Sequence, residues 1–147
     1  NRIVVFISRN LPAFGILSED DLFTMQIILG EALENAIFHG NLGVSSKLKK
    51  QRFELFKEEG RKRRTISPYK DRKVYISYEI SRREVKYVMR DEGNGFDRSQ
   101  LPDPTDPENL FKVSGRGILL IMNFMDHVSW NEKGNEITMI RYKQESS

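Results

Sequence analysis

Apolar residues recur at helical spacing in the first third of the chain, after Ser18 and three acidic residues. A serine is a good helix N-cap, and acidic side chains in the first turn interact favourably with the helix dipole. The pattern predicts a helix from about Ser18 to Phe38, ended by His39-Gly40-Asn41. One side of this helix is apolar and should pack in the core; it comprises Leu22, Ile28, Leu29, Ala32, Leu33, Ala36 and Ile37.

Alternation with a period of two residues predicts strands in the second half of the chain. Val74–Ile80 and Val85–Met89 flank a polar turn and should pair as an antiparallel hairpin. A closing hairpin should join Val128–Trp130 to Glu136–Tyr142, after a short apolar helix at 118–125. We expect the sheet to cover the apolar side of the long helix.

The composition fits one folded domain. At 147 residues, with 38% hydrophobic and 10% aromatic residues, the chain can bury a single core. No apolar run approaches the roughly 20 residues of a membrane span, and no secretory signal pattern is present. Because the chain has no cysteine, disulfides and thiolate chemistry are excluded, and we expect a cytoplasmic protein. The chain starts at Asn1 rather than methionine, so we expect a fragment or a trimmed sequence.

The formal charge of +3 is unevenly distributed. Between Asn41 and Tyr75 there are twelve Lys/Arg and four Asp/Glu, a net of +8, so the remainder carries −5. Clustered cations attract nucleic-acid phosphates without sequence preference. Neither interleaved aromatic residues nor a recognition motif accompanies them, however, so the pattern favours a solvated or partner-facing arm over nucleic acid.

Part of this basic segment should still be helical. A short helix is predicted at Gln51–Glu59, with Phe53 and Phe56 facing inward. Gly60 should end it, and the four consecutive cations Arg61–Arg64 should be solvated.

Glu31, Asn35 and His39 lie at i, i+4 and i+8, so on a helix they share one stripe at the edge of the packed side. A carboxamide oxygen can ligate Mg²⁺, and a carboxylate one turn earlier can orient or deprotonate a hydroxyl group. Taken alone, the stripe is equally consistent with ordinary polar positions beside a buried face.

Two glycine-containing elements follow later in the chain, and each has a backbone pattern that could contact a ligand. Asp91-Glu92-Gly93-Asn94-Gly95 comes directly after a strand, and its glycines allow close approach of backbone to a ligand. An aspartate at a strand end can accept a hydrogen bond from an exocyclic amine, although the turn alone is more typical of an ordinary Gly-Asn-Gly turn. Gly115-Arg116-Gly117 opens a helix, where free N–H groups bind phosphate. Between them, the segment 96–114 with its three prolines should be a mobile cover.

In this order the three elements resemble the GHKL ATP-binding superfamily: its N box (Glu31–Gly40), G1 box (Asp91–Gly95) and G2 box (Gly115–Gly117). Within it, the chain looks most like the anti-sigma-factor serine kinases. Three segments carry this closer likeness: Leu101–Pro104, Gly115–Ile121 and Asn123–Val128. The likeness covers about Ile16 to Lys143, except the basic segment.

The resemblance implies a two-layer α/β sandwich, with a mixed, largely antiparallel sheet covered on one face by helices. Residues 1–147 would form a single domain that carries a basic insert at about 42–71. ATP and Mg²⁺ would be its ligands: Asn35 would bind Mg²⁺, Glu31 would be the catalytic base, and Asp91 would recognise the adenine amine. The other nucleotide-binding residues implied are His39, Gly93, Gly95, Gly115, Arg116, Gly117 and Asn135.

Two functions follow from the resemblance. The first is phosphorylation of a serine on an anti-anti-sigma antagonist by a kinase that, when free, sequesters a sigma factor; such a kinase can be a homodimer. The second is an ATP-binding regulatory or anti-sigma module with little kinase activity, fused within a larger signalling protein. A histidine kinase is disfavoured, because the segment before the N box is too short for a dimerising hairpin that bears the acceptor histidine.

The chain departs from the family in three places. The insert replaces a short connection, and Gly134-Asn135 replaces the usual Gly-Thr, so a carboxamide would replace the hydroxyl that contacts adenine. By itself Ile3–Phe14 has strand-like composition, but it aligns with the first helix of the family. This alignment overrides the strand interpretation, and it predicts that the preceding strand of the family has been removed.

Overall fold

The computed structural model describes residues 1–96, 99, 101 and 116–144, without the side chains at 46, 47, 50 and 116. The helices are Arg2–Ser8 (α1), Glu19–Glu34 (α2), Ser46–Gln51 (α3), Phe53–Arg63 (α4) and Arg116–Phe124 (α5). The strands are Tyr75–Ile80 (β1), Glu84–Arg90 (β2), His127–Trp130 (β3) and Glu136–Tyr142 (β4). A π-helical segment, Asn35–Asn41, continues α2, and a 3₁₀ turn at Tyr69–Asp71 precedes β1.

The strands form one sheet in the order β1-β2-β4-β3. Both predicted hairpins are confirmed, and β2 pairs with β4 between them. The sheet was expected to be mixed and largely antiparallel, and every pairing among the described strands is antiparallel. Its inner face contributes Val85, Tyr87, Met89, Ile137 and Met139 to the core, and α1, α2 and α5 supply the opposing apolar residues. The predicted α/β sandwich with helices on one face is therefore confirmed.

The segment after Asn1 is a helix, so its strand-like composition is misleading and the family alignment is correct. The Asn1 side chain caps α1 by accepting from the N–H of Ile3 (3.0 Å). Val4, Ile7 and Leu11 are buried at helical spacing, which the continuous apolar run had masked. The buried hydroxyl of Tyr87 donates to the Ile7 carbonyl (2.6 Å) and ties α1 to the sheet.

The long helix begins as predicted, because Ser18 Oγ accepts from the N–H of Asp21 (3.2 Å). Its predicted inner side is buried or half-buried, and Met25, which the pattern left out, is also fully buried. The helix does not end at Phe38 but continues to Asn41 in π-helical geometry. Short π-helical segments are rare and occur preferentially at functional sites.

The basic insert is folded and packed rather than a solvated arm. Phe56 of α4 is 1% exposed and forms a second apolar cluster with Leu42 and Val44, against which Phe38 packs. Phe53, which was expected to face inward, is 51% exposed.

Gly60 does not break the insert helix as predicted. It lies within α4, where a Cβ atom would come 2.8 Å from Cε1 of Phe38. Glycine is therefore needed there for close packing. Arg63 is not solvated either, since its guanidinium donates to the carbonyls of Leu42 (2.8 Å) and Gly43 (3.0 Å).

Candidate functional site

Asp91 occupies the junction between the two hairpins. Its N–H donates to the carbonyl of Asn135 (2.9 Å), and the Asn135 carboxamide donates back to the Asp91 carbonyl (2.8 Å). The carboxylate is buried and accepts from the N–H of Gly93 (2.8 Å). Burial raises the pKa of Asp91 above its ordinary value, although the Gly93 N–H and the charges of Lys133 and Arg72 oppose the rise. The Asp91 carboxylate is therefore held in a fixed position, and its oxygens can still accept a hydrogen bond from a ligand.

Glycines surround this carboxylate because no larger residue fits. A Cβ on Gly40 would overlap the Asp91 carboxylate, and one on Gly93 would overlap the carbonyl of Gly40. The turn is also confined on its far side. Gly95, at φ +80°, lies against the main chain of Lys133, and Gly134, at φ +82°, lies against that of Phe96. The main chain thus approaches closely on both sides of the Asp91–Gly95 turn. The close approach to a ligand that the glycine spacing predicted stays a prediction.

Glu31 and Asn35 lie four residues apart on the same continuous helix, and Glu31 lies beside the start of α5. Both side chains are half-buried. A Cβ on Gly117 would come 2.5 Å from Oε2 of Glu31, so the first turn of α5 passes directly over this carboxylate. Within the described residues, the side chain of Asn35 makes no hydrogen bond, so none of these residues occupies its carboxamide oxygen.

His39 belongs to a different environment from the other two members of the stripe. Its Nδ1 lies 2.7 Å from the carbonyl of Val44, which accepts a hydrogen bond from it. Its ring centroid is 5.7 Å from that of Phe56, in the insert. Burial lowers the pKa of His39, partly offset by the Val44 carbonyl, so the neutral ring with its proton on Nδ1 is favoured. Its contact with nucleotide stays a prediction.

Two asparagines that the sequence motifs did not identify as site residues, Asn41 and Asn131, hold the site in place. Asn41 is 5% exposed, and its Oδ1 accepts from the N–H of Glu92 (2.7 Å). Asn131 Oδ1 accepts from three successive N–H groups of the β3–β4 turn, and its Nδ2 donates to Asn135 Oδ1 (2.7 Å). Both ends of the Asn135 carboxamide are thus engaged by protein. Its direct contact with adenine also stays a prediction.

The arrangement suits a purine nucleotide. Asp91 offers a buried acceptor for an amine at one end, and Glu31, four residues before Asn35 on the same helix, lies beside the start of α5 at the other. The carboxamide of Asn35 is an oxygen donor of the kind that Mg²⁺ accepts together with phosphate oxygens and water. The residues present therefore fit ATP and Mg²⁺. Gly115, the side chain of Arg116 and most of the expected cover at 96–114 lie outside the described residues, which include only positions 96, 99 and 101 of that cover.

Comparison with known proteins agrees with this geometry. Residues 2–141 match the family model described as a histidine kinase-like ATPase domain. No curated protein matches the chain. None of the helices among the described residues is long and apolar enough to cross a membrane. A family match over nearly the whole chain, together with an N-box helix and a G1 turn that meet at Asp91, establishes that the chain belongs to the histidine kinase-like ATPase family of the GHKL superfamily.

Proposed function

We propose that this domain is an ATP- and Mg²⁺-dependent protein-serine kinase of the anti-sigma-factor type. The observation that carries the proposal is the separation of two groups on one continuous helix. Its C-terminal end, at Gly40, contacts the base-recognition carboxylate of Asp91. The carboxylate of Glu31, more than two turns earlier, lies under the first turn of α5. A nucleotide bound along this helix would therefore present its phosphates beside Glu31.

Phosphoryl transfer needs few groups, because catalysis depends mainly on positioning and on charge stabilisation. The hydroxyl oxygen of the acceptor serine forms the new bond to the γ-phosphorus, while the bond to the ADP oxygen breaks. Glu31 accepts the proton that the hydroxyl group loses. Bound Mg²⁺, held by Asn35, would supply positive charge to the phosphate oxygens. The Gly117 position leaves room for the carboxylate that accepts the proton.

The acceptor in this proposal is a serine of an anti-anti-sigma antagonist, and the alternative partner of the free kinase is a sigma factor. We place this activity in the cytoplasm, since a chain without cysteine needs no oxidising compartment. The proposal does not assign nucleic acid to the insert. Several of its cations have protein partners, among them Lys49 with Glu34 (2.8 Å) and Arg63 with Glu59 (2.9 Å).

One observation favours a second candidate function, an ATP-binding regulatory module with little kinase activity. The folded insert packs against Phe38 and His39 of the N-box segment, where the anti-sigma kinases have a short connection. An element so placed can couple nucleotide binding to a partner or to a fused domain without phosphoryl transfer.

The two candidates are separated by replacing Glu31 and Asn35. Glu31→Gln keeps the shape of the side chain but removes the base, so transfer from labelled ATP to an antagonist protein should fall by about 10²–10⁴. The affinity for ATP should stay within several-fold of wild type. Asn35→Ala should weaken Mg²⁺-ATP binding itself. If the unmodified protein binds ATP but phosphorylates no antagonist tested, the regulatory module is the better assignment.

A further inference from the structure

The end of the basic insert is tied to the turn that carries Asp91 through one buried residue. The guanidinium of Arg72 donates through Nη1 to the carbonyl of Asn41 (2.8 Å). The Asn41 side chain accepts from the N–H of Glu92 (2.7 Å). The Glu92 carboxylate in turn accepts from the N–H of Lys73 (2.7 Å). These contacts close a ring of hydrogen bonds, the insert junction, through Asn41, Glu92, Arg72 and Lys73.

The insert junction directly adjoins the contacts that fix Asp91. Gly40, against which the Asp91 carboxylate packs, immediately precedes Asn41. Gly93, whose N–H donates to the same carboxylate, immediately follows Glu92. A displacement of Asn41 therefore moves the neighbours of Asp91, although Arg72 makes no hydrogen bond to Asp91 within the described residues.

Arg72 is itself held in place by the insert. Its guanidinium carbon lies 5.1 Å from the centroid of the Tyr69 ring, and that of Arg63 lies at the same distance from this ring. A planar guanidinium stacked on a ring presents its donors in a fixed direction. The conformation of the insert thereby sets the position of the Asn41 carbonyl.

We propose that Arg72 is a positioning residue for adenine recognition, acting through Asn41 on the packing of Gly40 against Asp91. The basic insert then adjusts affinity for the base and leaves the phosphate end unchanged. This inference rests on the part of the proposed function that assigns Asp91 to adenine, and it does not require phosphoryl transfer.

The test compares Arg72→Ala with Arg61→Ala in the full chain. Arg61 is an exposed cation of the same insert, so its removal matches the change in net charge without breaking the junction. The direct effect of the Arg72 charge on Asp91 is controlled by Arg72→Lys, which keeps that charge. Calorimetry would measure the affinities for adenosine and for inorganic triphosphate separately, and hydrogen exchange would follow the amide of Glu92 without ligand.

For Arg72→Ala we expect adenosine affinity to fall by about three- to tenfold while triphosphate affinity stays within about twofold. Exchange of the Glu92 amide should accelerate, because Asn41 is no longer held. Arg61→Ala should change none of these, and Arg72→Lys, which keeps the charge and one donor, should give an intermediate loss. If Arg72→Ala fails to fold, the lysine variant carries the same comparison.

Adenosine affinity in Arg72→Ala equal to that of Arg61→Ala would overturn the inference, as would equal losses for adenosine and triphosphate. These results are distinct from failure of the kinase proposal. A wild-type protein that transfers no phosphate, but loses adenosine affinity selectively on Arg72→Ala, supports the positioning role and argues against the kinase. The opposite pair of results supports the kinase and removes the role of Arg72.

Discussion

Replacing Gly40 by alanine should weaken ATP binding even though residue 40 is assigned no contact with the nucleotide. A Cβ atom there would lie 2.7 Å from Oδ1 of Asp91 and closer still to its Cγ and Oδ2 atoms. These distances are far inside ordinary van der Waals contact, so either the carboxylate or the π-helical segment must move. The main chain of Asp91 is fixed by its hydrogen bonds to Asn135. The added methyl group should therefore displace the side-chain carboxylate of Asp91.

The size of the effect follows from two costs. Overpacking of a close-packed site lowers the free energy of unfolding by about 1–3 kcal/mol. A displaced Asp91 would also lose the hydrogen bond that we propose it accepts from the adenine amine, and hydrogen bonds to charged groups contribute about 1.5–3 kcal/mol. The dissociation constant for ATP should therefore rise by about 10- to 150-fold. Asp91→Asn, which replaces the acceptor by a group that is also a donor, should cost about 1–3 kcal/mol of binding free energy.

Gly30→Ala is the matched control for this substitution. A Cβ on Gly30 meets no atom within 4 Å, and Gly30 lies inside α2. Alanine there should raise the free energy of unfolding by about 0.4–1 kcal/mol, because it restricts the unfolded chain, and should leave ATP affinity unchanged.

Calorimetry with ATP and urea unfolding would measure both quantities. The reasoning is refuted if Gly40→Ala binds ATP as tightly as wild type does. It is also refuted if the substitution weakens binding equally in an Asp91→Asn background, since the effect would then not pass through Asp91.

Three further outcomes are expected. Gly117→Ala should lower phosphoryl transfer at unchanged melting temperature, because it displaces only the flexible end of Glu31; a wild-type rate in the labelled-ATP assay would contradict this. Because the pKa of His39 is lowered in the folded protein, the unfolded chain binds a proton at His39 more tightly than the folded protein does. The free energy of unfolding should therefore fall as the pH drops through 6.5 towards the native pKa, and His39→Gln should flatten that dependence in urea titrations at several pH values. Ser18→Ala removes the cap of α2 and should cost about 1 kcal/mol in the same urea assay; an unchanged midpoint would show that the cap contributes nothing.

The sheet and the long helix could be predicted from sequence because their signals are local. Alternation fixes which residues of β2 face the core, and Ser18 with its acidic neighbours fixes the start of α2. The motifs that contain Glu31, Asn35 and Asp91 could likewise be found, since their spacing is short and their order along the chain is informative.

What could not be predicted depends on contacts between distant segments. From sequence, Gly60 predicts the end of a helix. In the structure it lies within α4, where Phe38 packs so closely that a Cβ atom would clash with its ring. The cations of the insert looked solvated because no local pattern shows that Arg63 reaches the carbonyl of Leu42. Asn41 is interpreted from sequence only as part of the helix stop, since its bond to the N–H of Glu92 forms between segments that are distant in sequence.

The pairing of Asp91 with Asn135 has a consequence for how the domain folds. These residues are 44 positions apart in sequence, and Asn41 and Glu92 are 51 apart. Contacts of such separation form late, because the chain must first lose the entropy of closing long loops. Partly folded chains should therefore be unable to bind adenine, whereas ATP at about 100 times its dissociation constant would stabilise the completed domain by about 2.7 kcal/mol. Nucleotide binding should therefore stabilise the completely folded domain relative to partly folded chains.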